Sequence, residues 1–338
     1  MQAVVLTEPR HLTVRPDDAP PPGPGDARVR LRLGGICGSD LSAYRGTSPM
    51  VTYPRVLGHE LLVDVLPGAD AGALGGRRAV VEPLLPCGAC VACRHGRYNC
   101  CERLRVLGVH TDGGLRGQWS VPAAQLRAVP EALPDEVAVL AEPLSIAYHA
   151  VERSGIEAGQ VALVFGAGTI GLLIAQLLVR ARGCRALVVD SDPWRREVAG
   201  ALGASPVAAE PESVLEAVGR ATDGELAAVA FEATGAAACT LQTTAATRHG
   251  GRVVLVGWNR GPVTFDTVAV MRKELDVLGS RNSRAAFGPV LRLLADGTVD
   301  AERMITHRFA LTRAPEALEL LDRGAPGVLK VLLGPGGA

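Results

Sequence analysis

Five of the chain's eight cysteines fall between positions 87 and 101. Cys87, Cys90 and Cys93 recur every third residue in a loop rich in glycine and alanine, and Cys101 follows eight residues later. Four thiolates on spacers this short can surround one tetrahedral zinc and leave no open coordination position, which makes such a lobe structural. Disulfides compete for the same residues, but near neighbours close very small, strained rings, and nothing else points to secretion. Buried free thiols are the other competing use, and this loop is too polar to be a core. The lobe reads as a closed zinc site, so the question is what it supports.

Composition narrows the partners. Lys and Arg number 35 and Asp and Glu 35, so the formal net charge is zero, and no long basic run occurs. That argues against nucleic acid or an anionic membrane as the principal partner. With 338 residues, 48% of them hydrophobic, the chain can build two domains with real cores. The N-terminus has no basic segment followed by an apolar one, and no apolar run reaches the length of a membrane span. Thiolate ligands need a reducing compartment, so the expected location is the cytoplasm.

Residues 1 to about 142 read as short strands between Gly/Pro turns, with candidates at 3–6, 27–33, 61–66 and 78–82, a pattern that suits a barrel-like β domain. Within it, Cys37 and His59 offer one thiolate and one imidazole. An open catalytic zinc site needs one more protein ligand and a water. From Val161 the texture changes. The buried-strand run 161–165 leads into Gly166, Gly168 and Gly171, then a helical stretch to Ala181, then a strand, 186–190, ending in Asp190. Strand, glycine fingerprint, helix and a following acid together point to a dinucleotide. Its pyrophosphate would rest on the helix N-terminus, and Asp190 would accept the ribose hydroxyls and repel a 2′-phosphate, favouring NAD over NADP. Helices at 194–202 and about 236–246, and strands at 227–232, 252–257 and 275–279, continue the alternation of a doubly wound sheet. A helix at 285–295 and a strand at 328–333 remain, and these are expected to return to the first domain.

A Cys/His pair in an N-terminal β domain, a four-cysteine lobe and a following dinucleotide fold together resemble the zinc-dependent medium-chain dehydrogenases, and the resemblance spans essentially the whole chain. The segments Cys37-Gly-Ser39-Asp40, Ala141-Glu142-Pro-Leu-Ser145 and Met304-Ile-Thr-His307 are similar to the sorbitol dehydrogenase-like branch. The fold this implies is α/β: a GroES-like β-barrel catalytic domain of residues 1–144 with 282–338, its zinc lobe at 86–102, plus a Rossmann NAD-binding domain of residues 145–281. The resemblance implies two zinc ions per chain. Cys37, His59 and Glu142 match the catalytic ligands, Glu60 a residue that approaches or briefly binds that metal, and Asp40 the carboxylate that orients His59. Cys87, Cys90, Cys93 and Cys101 match the structural ligands, leaving Cys100 surplus. Ser39 matches the hydroxyl that takes the substrate proton, and Ser42 is a candidate extension of that path. Beside the glycines, Thr169, Ile170, Asp190, Arg195, Val256 and Lys330 make up the cofactor set, with Lys330 also a candidate partner for Glu60.

The run from Val81 through the lobe to His110, and the segment Gly279-Ser-Arg281-Asn282-Ser283, are similar to the subgroup acting on sugar acids, such as L-galactonate and L-gulonate 5-dehydrogenases. Arg281 and Asn282 are the substrate candidates. A guanidinium can pair bidentately with a carboxylate, while contact with a cofactor phosphate or with Glu142 is an equal alternative. Two departures stand out: the relay histidine of the family is Ser42 here, and a common glutamate is Gln118. The expected function is hydride transfer from a secondary alcohol of a sugar acid or polyol to NAD. Alternatives are a neutral polyol or aminocyclitol dehydrogenase, a metal-free reductase of the same fold, and, remotely, a zinc-ribbon binding module. Members of the family form dimers or tetramers, and residues 251–257 offer a strand for extending a sheet across subunits.

Overall fold

The structure, a computed structural model, describes residues 1–17, 19–259 and 261–336. One compact unit consists of Met1–Glu142, Phe287–Asp296 and the chain from Ala301 onward, and the other of Pro143–Ala286 and Gly297–Asp300.

The first unit is built on strands. A seven-stranded sheet runs in the order Leu126–Ala128, Arg78–Val81, Glu60–Val65, Asp26–Gly35, Lys330–Gly334, Ile305–Ala310, and Gln118–Pro122 also pairs with Asp26–Gly35. His11–Pro16, Gln2–Glu8 and Arg55–Val56 form a second, three-stranded sheet. Asp26–Gly35 is the hub. Its period-two pattern buries Ala27, Val29 and Leu31 and exposes Arg28 and Arg30, which gives the strand one core face and one wet face. Each fully buried aliphatic side chain of this kind contributes about 1.5–3 kcal/mol. The strand ends with Gly34 and Gly35 paired to Leu61 and Glu60 on one side and to Leu333 and Leu332 on the other. A Cβ on Gly35 would lie 2.0 Å from Glu60 Oε2, so this position accepts glycine alone.

The second unit holds six strands, all parallel: Val161–Phe165, Arg185–Val189, Ser205–Val207, Ala227–Glu232, Thr247–Leu255 and Asp276–Gly279. Numbered along the chain within this sheet, their spatial order is 3-2-1-4-5-6, the doubly wound order with its switch point between strands 1 and 4. Val161–Phe165 is buried at every position, as a strand covered on both faces must be. The helix Pro193–Ala201 starts where Asp192 accepts the Trp194 N–H at 2.9 Å, with proline in the first position. The sequence predicts a helix continuing to Ala181, whereas the α-helix Thr169–Gln176 widens into a π-turn over Leu177–Ala181. The helices Ala141–Ser154 and Pro211–Ala221 and the strands Ser205–Val207 and Ile305–Ala310 are elements the sequence pattern does not announce. Among the described residues no helix is long and apolar enough to cross a membrane.

A charge network braces the open face of the central strand. Asp135 accepts from Arg32 at 2.6 and 2.8 Å and from Arg78, and Arg32 also reaches Asp64 at 2.9 Å. Burial pushes the Asp135 carboxyl up, but the two guanidiniums outweigh it and hold it below the usual carboxylate range. A depressed folded value gives stability that is present above the unfolded value of about 3.9 and is lost as pH falls through the folded one. Asp135→Asn is therefore expected to cost about 1–3 kcal/mol at pH 7. Denaturant melts at pH 7 and pH 3 should show that gap shrinking in acid, and an equal loss at both would assign the effect to packing instead.

Candidate active site

The central strand hands the chain directly to the chemistry. Ile36 follows Gly35, and Cys37 caps the helix Gly38–Tyr44. Asp40, in the first turn of that helix, accepts the Cys37 N–H through Oδ2 at 2.9 Å, satisfying one of the donors a helix start leaves over. Its other oxygen, Oδ1, stands 3.7 Å from His59 Nδ1, and among the described residues these two buried atoms have no hydrogen-bond partner. On the opposite side of the ring, Ser39 Oγ lies 3.4 Å from Nε2. Burial opposes charge on His59, but Asp40 and then Cys37 outweigh it and hold the imidazole well above its ordinary range.

Cys37, His59 and Glu60 bring their ligand atoms within 4.8 Å of one another. Glu142, in the first turn of Ala141–Ser154, stands outside that trio, yet its charge is felt at His59. Burial pushes the Glu142 carboxyl up to about 7, with Glu60 and Asp40 adding to the rise and His59 and Lys330 opposing it. Of the six side chains Cys37, Asp40, His59, Glu60, Glu142 and Lys330, four are acids and two are bases. With the four acids ionised, Lys330 charged and His59 neutral, as a metal-bound imidazole must be, they carry three excess negative charges, a surplus that favours a divalent cation; the donor set of thiolate, imidazole and carboxylate suits zinc. With a cation on Nε2, the His59 proton is fixed on Nδ1 and directed at the waiting Asp40 oxygen.

The lobe also fits zinc. The four sulfurs of Cys87, Cys90, Cys93 and Cys101 lie within 4.8 Å of one another, with Cys93 4.0 Å from Cys87 and 3.5 Å from Cys90. Tetrahedral zinc with bonds near 2.3 Å separates its sulfurs by about 3.8 Å, whereas a disulfide needs about 2.05 Å. Backbone amides of Cys90 and Cys87 point at Cys87 Sγ and Cys101 Sγ. N–H donors from Ala89 and Cys90 lower the Cys87 thiol to about 5, while burial beside its neighbours pushes Cys93 up to about 12. Thiols whose ionisation is split this way are what a shared cation resolves. Cys100 stays outside the group.

In the second unit the cofactor candidates follow the C-terminal ends of parallel strands, the place where open α/β sheets bind ligands. Gly166, Gly168, Thr169, Ile170 and Gly171 follow strand 1, Asp190 strand 2, Val256 strand 5, and Arg281 with Asn282 strand 6. A Cβ on Gly171 would stand 1.8 Å from Gly166 O, whereas one on Gly168 would meet nothing within 4 Å. The loop is thus closed on the helix and open toward a ligand. Asp190 Oδ2 accepts the Ala167 N–H at 2.7 Å and Oδ1 the Asp192 N–H at 2.9 Å, which sets the carboxylate at the edge of the fingerprint.

Other candidates are placed differently. Lys330 is 2% exposed, and its ammonium is committed to both Glu60 oxygens at 2.7 and 2.8 Å and to Ile36 O at 3.1 Å, so the Glu60 partnership is the one seen. Arg195 lies 3.7 Å from Asp192; its neighbour Arg196, which the sequence reading passed over, donates to the carbonyls of Asp190 at 2.7 Å and Ser191 at 3.1 Å. Ser42 donates back to Gly38 O at 3.1 Å. Gln118 pairs with Arg30 along the central strand. Arg281 is exposed. Also missed was Glu232, wholly buried at the end of strand 4, which takes the Thr234 and Gly235 N–H groups and the Thr234 hydroxyl. Its signal, a buried strand ending in an acid, is the one that singled out Asp190.

Residues 23–131 match the family model described as the alcohol dehydrogenase GroES-like domain, and residues 169–296 the one described as zinc-binding dehydrogenase. The chain is 36% identical over 323 residues to L-galactonate-5-dehydrogenase of Escherichia coli K12, covering 94% of each. A solved structure of rspB from Escherichia coli CFT073, complexed with NADH, superposes with a TM-score of 0.92 at 32% identity over 99% of both chains. A zinc-binding dehydrogenase structure from Sinorhizobium meliloti, bound to NADP, does so at 0.91 and 32%, again over 99% of both. With both family models matched in order and relatives aligned end to end, the chain belongs to the zinc-type medium-chain alcohol dehydrogenases, oxidoreductases that act on CH–OH groups.

Proposed function

We propose that this enzyme oxidises a secondary alcohol of a sugar acid with NAD as hydride acceptor, and that it carries two zinc ions per chain. The observation that carries this reading is the convergence of the half-buried Cys37 with the buried His59 and Glu60, with an excess of acid around them. Bound zinc supplies a Lewis acid that lowers the pKa of a hydroxyl, and NAD supplies the hydride acceptor. The chain does the rest. Cys37 and His59 would hold the metal, with Glu142, matched by the resemblance to the third ligand, and Glu60, which converges with them and is paired to Lys330, as the carboxylates that would serve it. Asp40 fixes the tautomer of His59. Oxidation of the alcohol releases one proton, and Ser39, beside His59 Nε2, would take it while handing its own hydroxyl proton on toward solvent. Ser42 extends that path less readily, because its hydroxyl is turned back to Gly38.

Asp190 supports NAD over NADP: a carboxylate already fixed by two amides accepts ribose hydroxyls and repels a 2′-phosphate. The likeness to L-galactonate-5-dehydrogenase and the exposed guanidinium of Arg281 support a carboxylated substrate. The reading includes a cytoplasmic homodimer or homotetramer. Thr247–Leu255, which takes in most of the stretch expected to extend a sheet across subunits, is paired on both sides, so the edge strand Asp276–Gly279 with its exposed Val277, and Met271 nearby in sequence at 74% exposure, are what support association.

Three variants test this. Cys37→Ser should drop zinc from two ions to one per chain by metal analysis and abolish alcohol oxidation, while NADH fluorescence titration still shows cofactor binding; full turnover at one zinc would remove the assignment. Asp190→Ala should raise the NADP-to-NAD ratio of kcat/KM by at least about tenfold, as loss of about 1.4 kcal/mol of discrimination implies, and unchanged ratios would show that another group selects. Arg281→Leu should cut kcat/KM for L-galactonate by about 10- to 100-fold, the value of a charge-assisted hydrogen bond, and spare sorbitol. Equal losses on both would move the reading to a neutral polyol.

A further inference from the structure

Ser145 and Ser283 meet across 138 residues of chain, Oγ to Oγ at 2.9 Å, and are 0% and 3% exposed. Neither has a role in the chemistry above, yet both stand next to residues that do. Ser145 follows Glu142 by three positions on the helix Ala141–Ser154 and so lies on the same face. Ser283 follows Arg281 by two residues, in the segment that leads from Asp276–Gly279 to the helix Phe287–Ala295. That segment is pinned where it starts, since the Ser280 N–H reaches Leu255 O at 2.8 Å. Beyond the pin, two non-glycine residues take left-handed backbone conformations, Asn282 with φ of 47° and Ala285 with φ of 51°. Alanine gains nothing locally from such a conformation, so its surroundings must hold it. Between these two residues the chain buries Ser283 against Ser145. A buried hydroxyl is costly without a partner, and this bond rewards the bend that brings the two together.

We propose that the Ser145–Ser283 bond is a positioning link: it sets the segment 280–286 against the helix Ala141–Ser154 and thereby aims Arg281. Preference for a carboxylated over a neutral substrate then depends on two hydroxyls that touch neither. The inference rests on Arg281 being the carboxylate partner.

The test compares Ser145→Ala, Ser283→Ala, the double variant and Arg281→Leu, each zinc-replete, with L-galactonate and sorbitol as probes and NAD as acceptor. Each serine variant should raise KM for L-galactonate about five- to tenfold and keep its kcat, and the double variant should do no worse than either single one, because contacting residues in one link are not additive. Sorbitol kinetics should stay within about twofold. The double variant removes both hydroxyls of the pair, so neither serine is left facing a missing partner, and thermal melting checks that it is folded even if a single variant is unstable. Parallel losses on both probes, fully additive effects, or unchanged KM in the folded double variant would each overturn the link. If Arg281→Leu itself fails to discriminate, the carboxylate reading falls and this inference with it. If Arg281→Leu discriminates and the serine variants do not, only the link falls.

Discussion

A single buried ion pair sets the geometry on which the first unit's chemistry depends. Lys330 opens the last strand and Glu60 opens the strand Glu60–Val65, and both side chains are 2% exposed. Gly35 is in register with Glu60 on one side and Leu332 on the other, so the pair sits where three strands meet. The third contact of the ammonium, Ile36 O, ties down the chain just before Cys37, and His59 directly precedes Glu60. Cys37 and His59, the first two members of the converging trio, are therefore each one residue away from a backbone held by this pair. Two buried charges out of water are tolerable only when matched, and removing either partner costs about 3–5 kcal/mol. The missing Cβ of Gly35 is the space into which the carboxylate fits.

The same economy appears in Asp40. One oxygen caps the helix that begins at Cys37, and the other faces His59. A residue doing both jobs couples the direction of the thiol to the orientation of the imidazole. The two pairings, Asp40 with His59 and Glu60 with Lys330, still leave the neighbourhood rich in acid, and burial drives Asp40 and Glu142 upward as a result. Such an excess held away from water suits a positive charge. The lobe reaches the same end differently, with four thiols and no carboxylate at all.

Much of this was legible in the sequence where local pattern and burial agree. The strand read at 227–232 is the strand Ala227–Glu232, because all six positions are buried in a parallel sheet and its hydrophobic run is unbroken. Ser205–Val207 was missed because Pro206 argues against a strand, yet this one lies at the sheet edge, where a proline is allowed. Pro211–Ala221 was missed because only Val214 and Val218 are buried on it, too few for a clear period. The cysteine lobe and the glycine fingerprint are local in sequence and could be read directly. The Lys330–Glu60 contact spans 270 residues and leaves no periodic trace, so it was expected from the resemblance alone, whereas the Ser145–Ser283 contact, 138 residues apart, is revealed only by the fold. Arg195 and Arg196 are adjacent, and nothing in their spacing tells which would reach back to Asp190.

Asp190 shows why such details matter more than the fold for choosing a cofactor. Structures that share this architecture at TM-scores of 0.92 and 0.91 hold NADH in one case and NADP in the other, so the sheet and its switch point do not discriminate. On the reading proposed above, discrimination comes from a charge fixed at the strand's end. In this chain the carboxylate is fixed twice, by the amide of the fingerprint loop and by the amide that leads into the next helix. Arg196 also donates to the backbone carbonyl of the same residue, which steadies the strand end that carries the acid. A side chain immobilised before the ligand arrives has already met the entropic cost of orientation, and its repulsion of a second negative charge acts at full strength.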